Sequence, residues 1–172
     1  MRRLLALLAL TLGVTVLAPV ASSSAATVSG ACVISGSASF SPNGLTATPQ
    51  SLTYNFGGTG TCSGTLNGAP ITNAPVSASA SGSGTLSCAA SVSTGGTGSL
   101  TFPAQGVTIG FGINLAGGGS EVGFTLTGNG GGAGAGHATF ATNLARAPEC
   151  STPSGVNNLG FDVQAGAVNL TG

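Results

Sequence analysis

Beyond residue 26 this chain offers little with which to do chemistry: one histidine, His137, three carboxylates, Glu121, Glu149 and Asp162, one arginine, Arg146, and four cysteines. His137 is the only side chain whose ordinary pKa lies near neutrality, so acid–base catalysis would have to run through it. A Ser–His–Asp arrangement would use His137, Asp162 and one of the many serines. No G-x-S-x-G elbow exists to expose a nucleophile; Gly118-Gly119-Ser120-Glu121-Val122 comes nearest and breaks at its last position. Glu121 and Glu149 could be the two carboxylates of a glycosidase, but such a site also needs aromatic platforms for the sugar. The chain has no Trp, and Tyr54 falls on an inward parity beside Phe56. The expectation is that these groups are solvent-facing and that the protein is not an enzyme.

Metal and cofactor sites fare no better. A calcium loop needs clustered oxygen ligands with carboxylates among them, and the three acids are spread from 121 to 162. Gly128-Asn129-Gly130-Gly131-Gly132-Ala133 fits the loose dinucleotide form G-x-G-x-x-A, yet that fingerprint needs a helix after it. His137-Ala138-Thr139-Phe140 reads as a strand, so the run is taken as a hairpin loop. No metal and no cofactor are expected.

Charge depletion excludes partners as well. An average soluble protein is about 25% charged; residues 27–172 hold one Arg and three acids, with no Lys, for a net charge of −2. That leaves no field for steering nucleic acid or anionic lipid.

Residues 1–26 read as a secretory signal, with Arg2 and Arg3 ahead of an apolar run from Leu4 to Val20 and small residues from Ala21 to Ala26. Thr11, Gly13, Thr15 and Pro19 interrupt that run, and no membrane span is expected in the mature chain. Residues 27–172 suit one domain large enough to bury a core. Four cysteines, Cys32, Cys62, Cys88 and Cys150, form an even set in an exported chain and contain no C-x-x-C pair, which favours two disulfides over zinc. Three pairings are open; Cys32–Cys62 with Cys88–Cys150 is the one preferred.

The elements that must position these residues show a period of two throughout. From Val76 to Val92 the even positions are apolar or glycine and the odd ones, Ala89 aside, are Ser or Thr. Val107–Leu115 repeats the alternation, and shorter runs occur at Cys32–Phe40, Leu52–Phe56, Gly60–Leu66, Leu100–Phe102, Val122–Leu126, Ala138–Leu144 and Leu159–Ala167. The apolar parity switches near Gly166, as a β-bulge would make it do. Turn signals stand at Ser41-Pro42-Asn43-Gly44, Gly57-Gly58, Asn67-Gly68, Gly95-Gly96, Gly117-Gly118-Gly119 and Gly128-Asn129-Gly130. Eight to ten short strands between such turns predict an all-β domain, an antiparallel Ig-like or Greek-key β-sandwich, with a β-barrel as the alternative.

The outward parity carries Ser77, Ser79, Ser81, Ser83, Thr85 and Ser87, where exposed strands ordinarily carry Lys or Glu. This uncharged face is the candidate contact surface. With its Arg-Arg-Leu-Leu-Ala-Leu-Leu signal and segments such as Gly57–Gly64 around Cys62, the chain resembles small secreted Gly/Ser/Thr-rich β proteins of actinobacteria. That resemblance implies an extracellular or cell-surface location. The leading expectation is a non-enzymatic structural or adhesive protein that contacts cell wall or another extracellular polymer, or associates with itself. The alternative is a soluble binding module for a protein, a glycan or a small apolar ligand, favoured by an internal cavity lined by Phe111, Phe124 and Phe140. A hydrolase is the least favoured.

Overall fold

A computed structural model describes residues 25–89, 91–118, 120–140 and 144–172. The expected signal segment up to residue 24 lies outside the described residues, as do Gly119 of the triple-glycine turn and 141–143 of the Ala138–Leu144 run. Eight strands follow one another: β1 (Thr27–Ser41), β2 (Gln50–Leu66), β3 (Ala69–Leu86), β4 (Ser91–Phe102), β5 (Val107–Gly118), β6 (Glu121–Gly128), β7 (Gly131–Phe140) and β8 (Asn158–Thr171). Leu144–Ser151 forms a 3-10 segment between β7 and β8.

Each strand pairs antiparallel with its chain neighbour, and β8 returns to pair with β1, so the single sheet closes into an up-and-down barrel. The expected sandwich is thereby corrected, and so are its short strands: β1, β2 and β3 run 15, 17 and 18 residues. Two glycine pairs explain the difference. Gly57-Gly58 and Gly95-Gly96 read as turns in the sequence but lie inside β2 and β4. At Gly58 a side chain would press on the Ser35 carbonyl of β1, and at Gly96 on the Ser81 carbonyl of β3. Glycine here permits close strand approach within a curved sheet and does not end a strand. Register shifts at Gly30/Val33, Cys62/Gly64, Ser83/Leu86, Ser91/Thr94 and Gly134/Gly136 add the local bends that curl one sheet on itself. Two of these shifts face the segment around Gly166, where the parity of β8 changes.

Asn67 and Gly68, with φ of 52° and 78°, make the two-residue turn that joins β2 to β3. The ladder is staggered. Ile34 pairs with Gly60 on β2 in one direction. Followed the other way, through Val163, Ala138, Val122, Gly117, Ser91 and Leu86, its row reaches β2 at Gln50, ten residues from Gly60. Such a stagger tilts the strands and fixes an eight-stranded lumen just wide enough for side chains or one small ligand.

Val28, Leu66, Phe102, Ile109 and Leu170, all nearly inaccessible, fill the end of the lumen beside the Asn67-Gly68 turn. At the other end, Leu45 and Val156 form an isolated bridge and are buried with Leu52 and Leu86 below the β1–β3 rim. Cys88 and Cys150 are joined by a disulfide that ties the 3-10 segment to the end of β3. The amides of Ala47 and Cys88 donate to the carbonyls of Cys150 and Thr46, completing a cap over that rim. The second disulfide joins Cys32 to Cys62, directly opposite one another on β1 and β2 and buried in the lumen.

Candidate ligand cavity

The period of two sends the apolar half of every strand into the lumen, but the inward residues differ in size around the barrel. β5 and β6 present Ile109, Phe111, Ile113, Leu115, Val122, Phe124 and Leu126. β3 presents Ala78 and Ala80, and β7, across the barrel from it, presents Gly134 and Ala138. These small residues leave the middle of the lumen unfilled, and a cavity of about 90 Å³ remains. Its surface is entirely apolar, and Phe56, Phe111, Phe124, Phe140 and Phe161 all line it. Phe56, Ala78, Phe140 and Val163 point inward yet are only half-buried, because part of their surface faces this space. Cys32 brings one disulfide to its wall.

Two polar atoms stand in the upper lumen. Tyr54 and Thr94 are among the most deeply buried side chains, and neither hydroxyl has a hydrogen-bond partner of good geometry among the described residues. Burial pushes the Tyr54 phenol above its ordinary pKa, and the nearby Thr94 hydroxyl opposes that rise. The Tyr54 ring stacks on Phe56 with centroids 4.8 Å apart, and Phe56 meets Phe161 edge-on at 5.7 Å. A Cβ on either Gly82 or Gly96 would lie 2.5 Å from the Tyr54 hydroxyl, so its niche exists because both positions lack side chains. The sequence places Tyr54 on an inward parity but does not single out Thr94, which shares its parity with Gly96.

The outer wall is the reverse of a membrane-spanning barrel, whose outward residues form an apolar band. Here it carries Ser, Thr, Asn and Gly, and Val33 is the one large apolar side chain exposed among the described residues. No described helix is long and apolar enough to cross a membrane. Ser79, Ser81, Ser83 and Thr85 are exposed on this wall and Ser77 is half-buried there. Ser87 does not belong to the face: β3 ends at Leu86, and Ser87 is buried with its Oγ accepting from the Ala89 amide. Asn55, Ser81 and Thr97 form one row across β2, β3 and β4, and Ser79 with Ser99 forms the next, their hydroxyls 3.2 Å apart. A shallow groove of about 340 Å³ runs between these rows over Phe56, Ala80 and Gly98.

The titratable groups gather elsewhere. Glu121 pairs with Thr139, Thr139 with Asp162, and Asp162 with Ser35 along one outer row. His137 lies opposite Gly123 and Gln164, diagonal to both acids and exposed. Among the described residues no hydrogen bond joins His137 to Asp162, whose carboxylate instead accepts from Ser35 at 2.5 Å. Glu149 is committed to Arg146 at 3.0 Å within the cap, and Arg146 also donates to the Asn158 carbonyl. Within the Gly128–Ala133 run, Asn129 and Gly130 form the tight turn between β6 and β7, and the other four residues belong to those strands. No group of three or more His, Cys, Asp or Glu side chains able to hold a metal ion occurs among the described residues.

Compared with known protein families, with curated proteins and with solved structures, the chain matches none.

Proposed function

We propose that this protein is a secreted, non-enzymatic binding module that takes a small apolar ligand into the barrel lumen. The observation that carries this reading is the wholly apolar cavity of about 90 Å³ among five phenylalanines. A space that holds a single water needs about 10–15 Å³ and two to four polar partners; this one is larger and lacks the partners. It is smaller than the engineered cavity of about 150 Å³ that binds benzene or xenon, which restricts the ligand to a few heavy atoms. The two disulfides suit an oxidising extracellular setting.

The test is an NMR titration with xenon and with cyclopentane. Saturable shifts centred on the methyl and ring signals of Ile113, Phe111, Phe124 and Phe140 are expected, and Ala80→Leu with Ala138→Leu should abolish them by filling the space. Absence of saturable shifts in the folded wild-type protein would overturn the reading.

A second reading, structural or adhesive contact with an extracellular polymer or with another copy, is favoured by the uncharged groove between the Asn55–Ser81–Thr97 and Ser79–Ser99 rows. Co-sedimentation with cell-wall polysaccharide, lost on Ser81→Lys with Thr97→Lys, would support it. A protein that stays monomeric and in the supernatant counts against it.

A further inference from the structure

Asn-Gly occurs three times in the chain, at Asn43-Gly44, Asn67-Gly68 and Asn129-Gly130. The dipeptide carries its own chemistry, because a glycine nitrogen can reach the preceding Asn Cγ without a side chain crowding the approach. The three pairs differ in what holds that nitrogen. Gly44 is buried against the Val156 backbone and donates its amide to the Ser154 carbonyl at 2.9 Å. Gly130 donates to the Thr171 carbonyl at 2.8 Å, and a Cβ on it would meet the Gly172 carbonyl oxygen. The Gly68 amide donates to no group among the described residues. Asn67 and Gly68 are both exposed, and nothing lies within 4 Å of where a Gly68 Cβ would stand.

We infer that Asn67 is a self-modification site, the one Asn-Gly pair of the three that the folded protein leaves free to deamidate. The Gly68 nitrogen gives its proton to water and bonds to Asn67 Cγ. The side-chain nitrogen takes up a proton and leaves as ammonia, closing a five-membered succinimide. Water then opens the ring. Cleavage at Cγ gives aspartate; cleavage at the main-chain carbonyl gives isoaspartate, with the backbone routed through Cγ. The two products differ in their effect on β1. Thr27 donates its amide to Asn67 Oδ1 at 2.9 Å and accepts from the Asn67 amide at 2.8 Å, so this turn holds the start of the strand. Aspartate keeps an acceptor oxygen on the side chain. Isoaspartate adds a backbone carbon to a two-residue turn whose φ angles of 52° and 78° suit the strands it joins, and the hold on Thr27 is lost.

Peptide mapping by mass spectrometry, on folded protein incubated at mildly alkaline pH, tests this. Asn67 should deamidate about tenfold faster than Asn43 or Asn129, the worth of the hydrogen bond that each of those glycine amides must first break. In urea with reductant, where those bonds are gone, the three rates should converge. A folded protein in which Asn67 stays intact, or in which Asn43 or Asn129 keeps pace with it, overturns the inference. The same spread of rates in the unfolded chain also overturns it, since the selectivity would then lie in the local sequence. The isoaspartyl form purified from aged protein should melt at a lower temperature than Asn67→Asp. Equal melting would overturn the release of β1.

Discussion

Ser35 on β1 donates a hydrogen bond to Asp162 on β8 at 2.5 Å, across the one pair of strands that are neighbours in space but distant in the chain. It is the seam at which the sheet closes. Both residues are exposed, so the bond is screened and its contribution is modest. Ser35→Ala and Asp162→Asn are each expected to cost about 0.5–1 kcal/mol in urea unfolding. The double variant should cost less than the sum, because both remove the same bond. Strict additivity would mean that the seam holds by its backbone ladder alone.

The distribution of large and small residues in the lumen predicts unequal costs for truncating phenylalanines. Phe102 is fully buried in the filled end, and Phe102→Ala should cost about 3–5 kcal/mol. Phe140 is half-buried and already borders empty space, so Phe140→Ala should cost less than half as much. Equal losses in denaturant titrations would show that the lumen is evenly packed and that the cavity closes in solution.

How far this architecture is legible in the sequence depends on which property is asked for. Alternation over Val76–Leu86 and Val107–Leu115 reveals strands with one dry and one wet face, and the structure contains them. Whether the dry faces belong to two sheets or to one closed sheet is not local information. It is decided by the pairing of Ile34 with Val163, between strands at opposite ends of the domain. Glycine pairs misled because glycine serves two purposes: at Asn67-Gly68 it supplies positive φ for a turn, while at Gly57-Gly58 it lets backbones approach. The cavity was legible as inward phenylalanines, Phe111, Phe124 and Phe140, without any indication of what faced them. The Tyr54–Thr94 pair was not legible, since two residues 40 apart in the chain meet only through the stagger of three strands.

The two disulfides are expected to fail differently. Loop-entropy arguments assign each about 4 kcal/mol, with sequence separations of 30 for Cys32–Cys62 and 62 for Cys88–Cys150. Replacing Cys88 and Cys150 by Ser should therefore lower the melting temperature. It should also raise hydrogen exchange at the Ala47 and Cys88-position amides, whose acceptors lie in the segments this bond gathers. Barrel amides of β5 and β6 should stay protected. Loss of protection throughout the barrel would show that the cap is a condition of the fold and not an addition to it.

Tyr54 makes stability sensitive to alkali, in a chain unusually suited to seeing it. It is the only tyrosine, residues 27–172 contain no lysine, and all four cysteines are in disulfides. Burial raises the phenol above its ordinary value of 10, so the folded protein holds that proton more tightly than the unfolded chain does. Stability is thus complete below pH 10 and falls as the pH rises from there through the higher folded-state value, by about 1.4 kcal/mol per unit while only the unfolded form ionises. Phenolate absorbance of the folded protein should appear only above pH 10. Tyr54→Phe should flatten the alkaline limb of the stability curve. Phenolate forming in a protein that remains folded at pH 10 would show that the Tyr54 hydroxyl is open to water, and would remove the dry niche that it shares with Thr94.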